Sequence, residues 1–184
     1  AKNIATFLKA TNLKIEILDE ATIKRKKMVG VIAVGQGSYN KPAFVRVSYK
    51  SPGAKKTVAL VGKGVIFDSG GLSIKVGDGM ATMKCDMSGA AVVGAMKSIS
   101  QIKPKVNVEA YIPLVENMPG GGAFRVSDIL EYRNGVSVEI GNTDAEGRLI
   151  LADGLIWASE TKPDVIIDLA TLTGAIVIAL GEKI

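Results

Sequence analysis

The order of hydrophobic and polar positions along the chain predicts alternating strands and helices. Alternating or continuously apolar segments, bounded by Gly, Pro, Asp or Ser, are typical of strands, and apolar positions three or four residues apart are typical of helices. The predicted strands are 14–19, 44–49, 57–67, 105–115 and 163–169. The predicted helices are 1–10, 21–28, 80–102 and 149–160.

Strands that alternate with helices predict an α/β fold with a mixed, largely parallel sheet and helices on both faces. A hairpin is predicted over 128–140, because Asn134-Gly135 is typical of a type I′ turn. The predicted helix 80–102 would place Met83 and Asp86 within one turn. We find no internal repeat and no linker, so the sequence predicts a single domain over 1–184.

The composition is that of a globular protein, with 47% hydrophobic and 22% charged residues in a chain of 184. The formal net charge is +5, and Lys24, Arg25, Lys26 and Lys27 form a basic run. No aromatic residues are interleaved with this run, so a solvated face is favoured over a nucleic-acid interface. Because Cys85 is the single cysteine, an internal disulfide is excluded, which fits a reducing compartment. No signal peptide is recognised and no apolar run reaches about 20 residues, so we expect a cytoplasmic protein that does not cross a membrane.

The chain contains no histidine, which excludes Ser-His and Cys-His nucleophiles and every imidazole metal ligand. Any chemistry must therefore use carboxylates, lysine, arginine and bound ions. Lys63 stands between two glycines inside an apolar strand, and Asp68 follows at the end of that strand. Burial of a lysine there is costly, unless the strand bulges and the ammonium group reaches solvent.

The stretch 141–149 concentrates two carboxylates, Asp144 and Glu146, with Arg148 just before an apolar helix. If these carboxylates converged with Asp68 and Asp86, they would repel one another unless cations lay among them. Oxygen ligands suit Mg²⁺, Mn²⁺ or Zn²⁺, and two such ions about 3.5–4 Å apart support hydrolysis. Spacing alone leaves the alternative open that each charge caps an element or faces solvent.

Four blocks of the chain resemble the leucine aminopeptidase (cytosol aminopeptidase) family of dinuclear metallo-exopeptidases. The blocks are VGKGVIFDSGGLSIK at 61–75, MKCDM at 83–87, ENMP at 116–119 and NTDAEGRL at 142–149. The resemblance extends from about residue 12 onward. Val76, Gly120, Gly122 and Val126 depart from the residues common in the family, and none of them is a proposed ligand.

The resemblance implies a role for each site residue. The ligands of a tightly bound metal would be Lys63, Asp68, Asp86 and Glu146, and those of an exchangeable metal Asp68, Asp144 and Glu146. Lys75 would stabilise the oxyanion, and Arg148 would hold a bicarbonate that transfers the proton. The substrate-binding residues implied by the family are Met83, Asn142, Ala145, Thr171, Leu172 and Gly174.

The resemblance also implies a function: removal of N-terminal Leu and other apolar residues from peptides, with two divalent ions (Mn²⁺ or Zn²⁺, with Mg²⁺ as a third option). The family forms hexamers, which we expect of the longer parent protein only. The chain is expected to be the N-terminal part of that parent's C-terminal catalytic domain. Two alternatives stay open: a DNA-binding architectural role of the parent, and an inactive fragment.

Overall fold

The computed structural model describes residues 1–182 and contains a central sheet, a separate hairpin and six α-helices. The strands are β1 (Lys14–Leu18), β2 (Ala43–Tyr49), β3 (Thr57–Gly62), β4 (Val65–Asp68), β5 (Asn107–Asn117), β6 (Ile129–Glu131), β7 (Ser137–Glu139) and β8 (Val165–Leu169). The α-helices are α1 (Lys2–Leu8), α2 (Glu20–Arg25), α3 (Val29–Gly35), α4 (Gly89–Ile102), α5 (Glu146–Glu160) and α6 (Ala175–Leu180).

The central sheet has the strand order β1-β2-β5-β3-β8, and β4 also pairs with β5. The pairs β3–β5, β4–β5 and β3–β8 are parallel, whereas β1–β2 and β2–β5 are antiparallel. The predicted mixed, largely parallel sheet is therefore confirmed. Strand β5 is the longest, and β2, β3 and β4 all pair with it.

Helices cover both faces of the sheet, as predicted. Neighbouring residues of one strand point to opposite faces, and Phe44 and Val45 of β2 accordingly belong to different hydrophobic clusters. On one face Phe44 packs against Trp157 of α5, with ring centroids 5.2 Å apart. On the other face Val45 lies in the cluster that contains Met96 of α4. The central strands thus lie between two apolar layers.

The strand predicted over 57–67 is interrupted at Lys63 and Gly64, so that β3 and β4 run in succession along β5. The Lys63 amide donates to the Leu169 carbonyl of β8 (3.0 Å), and the Gly64 carbonyl accepts from Val115 of β5 (3.1 Å). The two residues of the break are therefore hydrogen-bonded to different strands, Lys63 to β8 and Gly64 to β5. This break places the Lys63 side chain in the interior.

Three predictions of local structure are wrong. The helix predicted over 80–102 begins only at Gly89, and Met83–Cys85 form a short 3₁₀ turn, so Met83 and Asp86 do not share an α-helical turn. The hairpin exists, but only Gly135 has a positive φ (87°), which excludes a type I′ turn at Asn134-Gly135. Strand β8 forms where predicted but is not fully buried: Val165 is 49% exposed, because β8 lies at the sheet edge of the described residues.

Two further differences concern helix bounds. Helix α5 begins at Glu146, three residues before the predicted start at Leu149, and the apolar segment after Met28 forms the buried helix α3. Within residues 1–182, no helix combines the length and apolar character that crossing a membrane requires.

Candidate metal centre

Every residue predicted for the site lines one cleft of about 650 Å³ at the carboxyl ends of β3, β4 and β8. The cleft is formed by the segment after β4, the 3₁₀ turn that contains Met83, the start of α5 and the segment between β8 and α6. The polar residues that the sequence places at separate strand ends therefore lie together in the structure. Ligand sites of open α/β sheets commonly lie at such carboxyl ends.

Lys63 lies at the bottom of the cleft and is 2% exposed. Its Nζ lies 2.7 Å from Asp86 Oδ1 and 2.8 Å from Glu146 Oε1, and it donates to the Thr171 carbonyl (2.8 Å). The alternative that its ammonium group reaches solvent through a bulge is therefore wrong. Gly147 makes room for the side chain, because a Cβ there would lie 2.6 Å from Lys63 Cε.

Lys75 forms a second cationic contact, 3.0 Å from Asp68 Oδ2 and 2.7 Å from Asp144 Oδ1. Partial burial acts to lower the pKa of Lys75, but hydrogen bonds and charge interactions with Asp144 and Asp68 outweigh it and raise the pKa above its ordinary value. Lys75 is therefore a firmly charged ammonium group directed into the cleft.

Oxygen atoms of Asp68, Asp144 and Glu146 lie within 4.8 Å of one another, a separation that a shared metal ion can bridge. Asp86 lies outside this group and meets it through Lys63. The Asp86 carboxylate also accepts from Thr171 Oγ1 at 2.8 Å. Thr171 was predicted for substrate binding, and in the structure its polar atoms contact Lys63 and Asp86.

The donor set fits divalent cations. Four carboxylates share the two ammonium groups of Lys63 and Lys75, and Asp86 Oδ2 and Glu146 Oε2 are buried without a hydrogen-bond partner among the described residues. Burial raises the pKa of Glu146 to about 7, an effect that Lys63 partly offsets and Asp68 increases. Buried carboxylate oxygens without a partner are costly, and coordination of a cation would satisfy them.

The outer part of the cleft is more accessible. Arg148 is exposed on the first turn of α5, and Asn142, Leu172 and Gly174 are exposed as well, whereas Met83 and Ala145 are half-buried. Sequence reasoning missed four residues that also line the cleft: Cys85, Ala170, Thr173 and Ile176. Ile176 is 56% exposed on α6. An apolar residue in an apolar segment carries no signal of a site, so its place could not be found from the sequence.

Two buried polar residues, Asn117 and Thr143, contact the site and were also missed. Asn117 Nδ2 donates to Asp68 Oδ1 (2.8 Å) and to the Thr143 carbonyl (3.0 Å). Asn117 does lie in the ENMP block that carries the resemblance, which is the one sequence signal that pointed to it.

Comparison with known proteins identifies the family of the chain. The model of the cytosol aminopeptidase family, catalytic domain, matches residues 1–184. The chain belongs to the cytosol aminopeptidase family. Members named "Probable cytosol aminopeptidase" include proteins of Persephonella marina, 55% identical over 170 residues, and of Aquifex aeolicus, 54% identical over 172 residues. These alignments cover 92% of the chain but only 34% and 35% of the two relatives, so the chain spans about a third of their length.

A solved structure similar to the present chain is that of the bottromycin maturation enzyme BotP in complex with Mn. The two share 42% sequence identity with a TM-score of 0.92, over 98% of this chain and 40% of BotP. The α/β fold of the chain is therefore that of a cytosol aminopeptidase relative, and the relative binds manganese.

Proposed function

We propose that the chain carries the metal centre of an aminopeptidase that removes N-terminal residues, preferably Leu and other apolar residues, from peptides. The observation that carries the proposal is the convergence of Lys63, Asp68, Asp86, Asp144 and Glu146 in one cleft, with buried carboxylate oxygens that have no hydrogen-bond partner among residues 1–182. Membership of the cytosol aminopeptidase family supports the same reaction class.

Two divalent ions are proposed, Mn²⁺ or Zn²⁺, with Mg²⁺ as a third option; the Mn complex of BotP favours manganese. Lys63, Asp68, Asp86 and Glu146 would hold one ion, and Asp68, Asp144 and Glu146 the other. Such ions polarise a carbonyl and lower the pKa of bound water, which supplies the hydrolytic nucleophile without histidine. Lys63 would act as a neutral amine ligand, because neighbouring cations disfavour its ammonium form.

The remaining cleft residues would act on the substrate. Lys75 is charged and directed into the cleft, so it can donate to the carbonyl oxygen as negative charge develops there. Arg148, exposed on the first turn of α5, would hold a bicarbonate, whose chemistry is proton transfer. The exposed apolar side chains of Leu172 and Ile176 favour an apolar N-terminal residue of the substrate, with Met83, Asn142, Ala145, Thr171 and Gly174 around it.

For the longer protein we propose that residues 1–184 form one domain, the N-terminal part of a catalytic domain, and that the whole assembles as a cytoplasmic hexamer. The relatives' greater length supports the longer catalytic domain and the family's name supports the cytoplasmic location, whereas the hexamer is proposed from the family resemblance alone. The DNA-binding alternative gains no support from the basic run: Lys24 pairs with Glu20 at 2.7 Å, and Lys26 Nζ lies 4.7 Å from the centre of the Trp157 ring. These contacts favour a solvated face.

The experiment is elemental analysis of the metal-loaded full-length protein, combined with hydrolysis of Leu-amide by Asp144→Asn. We expect two divalent ions per subunit in the unchanged protein and a loss of hydrolysis in the variant, because Asp144 is one of the three clustered carboxylates. Glu131→Gln is the control, since it removes an exposed carboxylate outside the cleft. Absence of bound metal, or full activity of Asp144→Asn, would contradict the proposal.

A further inference from the structure

Asn117 connects two segments that carry ligands of the metal centre. It is the last residue of β5 and is 1% exposed. Its side-chain amide donates to Asp68 Oδ1 at 2.8 Å, at the end of β4, and to the Thr143 carbonyl at 3.0 Å, immediately before Asp144. One side chain therefore spans the gap between the strand end and the loop that leads into α5.

The main chain of Asn117 also contacts the segment that follows β4. Its carbonyl accepts from the Ser69 amide (3.0 Å) and from Ser69 Oγ (2.7 Å). The Ser69 carbonyl in turn accepts from the Lys75 amide at 2.9 Å. Hydrogen bonds through Ser69 thus fix the backbone near Asp68 and Lys75 relative to the end of β5.

Thr143 completes the connection between the two segments. Its hydroxyl donates to the Gly70 carbonyl (2.7 Å) and accepts from the Ser73 amide (2.7 Å). Thr143 is fully buried, so these bonds are shielded from water. Asp144, the next residue, is therefore fixed relative to the loop that follows Asp68.

The two carboxylate oxygens of Asp68 have different partners. Oδ1 accepts from Asn117 Nδ2 and from the Gly70 amide (2.9 Å), whereas Oδ2 faces Lys75 Nζ. A carboxylate with one oxygen held by two donors cannot rotate freely. Partners that hold a ligand in this way commonly strengthen metal binding by fixing its orientation.

We infer that Asn117 is a positioning residue of the metal centre: its amide orients Asp68 and ties it to the Asp144 segment, and this raises the affinity for divalent cations. The inference rests on the proposed function, because it assigns a role to a neighbour of the proposed ligands. Asn117 does not line the cleft, and its Nδ2 is engaged by Asp68 and Thr143, so it would act through Asp68 rather than on the metal or the substrate. Its Oδ1 is buried without a hydrogen-bond partner among the described residues.

The test measures the Mn²⁺ affinity of the full-length protein by titration calorimetry, for the unchanged protein and for Asn117→Ala and Asn117→Asp. Asn117→Asp keeps the shape but replaces the donor with an acceptor facing Asp68. Asn107→Ala is the matched control: it removes an amide at the opposite end of β5, where Oδ1 accepts from Ser51 and Nδ2 donates to the Ala54 carbonyl. Far-ultraviolet circular dichroism reports the folded state of each protein.

We expect the two Asn117 variants to remain folded and to bind Mn²⁺ about 10- to 100-fold more weakly, with Asn107→Ala unchanged. Unchanged affinity in both Asn117 variants would overturn the inference and leave the proposed function standing. Loss of folding in both, with Asn107→Ala folded, would also overturn it, because Asn117 would then act on the fold alone. If the unchanged full-length protein bound no Mn²⁺, both the inference and the proposed function would fall.

Discussion

Gly147 offers a direct test of how tightly the metal centre is packed. A Cβ at this position would lie 2.6 Å from Lys63 Cε and 2.7 Å from Lys63 Nζ. Gly147 is buried in the first turn of α5, next to Glu146. Gly147→Ala therefore forces Lys63 to move, and Lys63 cannot move without leaving its present contacts with Asp86 and Glu146.

Two effects of opposite sign determine the result. Alanine is a better helix former than glycine by about 1 kcal/mol, which would stabilise α5. Breaking a buried ion pair costs about 3–5 kcal/mol, and Lys63 holds two carboxylates at 2.7 and 2.8 Å. Since the flexible lysine side chain can yield, we take about 3–4 kcal/mol for the broken contacts. Subtracting the helix gain of about 1 kcal/mol, we expect Gly147→Ala to lower the free energy of unfolding by about 2–3 kcal/mol.

The assay is urea unfolding, with and without Mn²⁺, of Gly147→Ala and of the control Gly94→Ala. Gly94 lies in α4, and a Cβ there would meet no atom within 4 Å, so this substitution should stabilise the chain by up to about 1 kcal/mol. The stabilisation by Mn²⁺ should also shrink in Gly147→Ala alone. If the two variants had equal stability and equal response to Mn²⁺, our reasoning about Lys63 would be refuted.

Three further predictions concern single residues. Lys75→Met should lower the kcat for Leu-amide of the full-length protein by about 100- to 1000-fold while the protein stays folded, as expected for a lost oxyanion donor; an unchanged kcat would exclude that role. Burial raises the pKa of Asp153 to about 7 from an ordinary 3.8, so the folded state binds its proton more tightly. This contribution to stability is present below about pH 4 and is lost as the pH rises to about 7, at most on the order of 4 kcal/mol. Between pH 5 and pH 8, the free energy of unfolding measured with urea should decrease less for Asp153→Asn than for the unchanged chain. Equal decreases would contradict the assignment. Gly30→Ala should destabilise the chain by about 3 kcal/mol, because its Cβ would lie 2.1 Å from the Leu149 carbonyl oxygen; a loss below about 1 kcal/mol in the same assay would show that α3 and α5 can separate.

The features that the sequence predicted well are those with a local physical signature. Lys63 between two glycines in an apolar segment indicated an irregular strand, and the structure has a break at that point. The alternation at 44–49 predicted a strand, and β2 spans Ala43–Tyr49, with Phe44 and Val45 in different apolar layers. Patterns of period two report directly which face each side chain occupies.

The wrong predictions involve side-chain hydrogen bonds that hydrophobic periodicity does not report. Helix α4 begins only after Ser88, whose Oγ donates to the Leu169 carbonyl at the end of β8 and accepts from the Thr171 amide. At the hairpin, Asn134 Oδ1 accepts from the Val136 amide, which supports a turn other than type I′. Neither contact leaves a trace in the local periodicity.

The site shows the same difference between residues with a sequence signal and residues recognised only by their hydrogen bonds. The resemblance named its charged residues, and the structure brings them into one cleft. Asn117 and Thr143 were missed because their contribution depends on hydrogen bonds to Asp68 and Gly70, about fifty and seventy residues away along the chain. Neutral amides and hydroxyls are common in sequences, so only their partners in space distinguish them.

Strand β5 has a consequence for the order in which the chain folds. It pairs Pro113 with Phe44 and Val108 with Val58, and it ends at Asn117 beside the metal centre. Such a topology has a high contact order, because most of its pairings close loops of about fifty residues or more, which slows folding. In a refolding experiment, competence to bind Mn²⁺ should consequently arise late, after the helical signal has recovered.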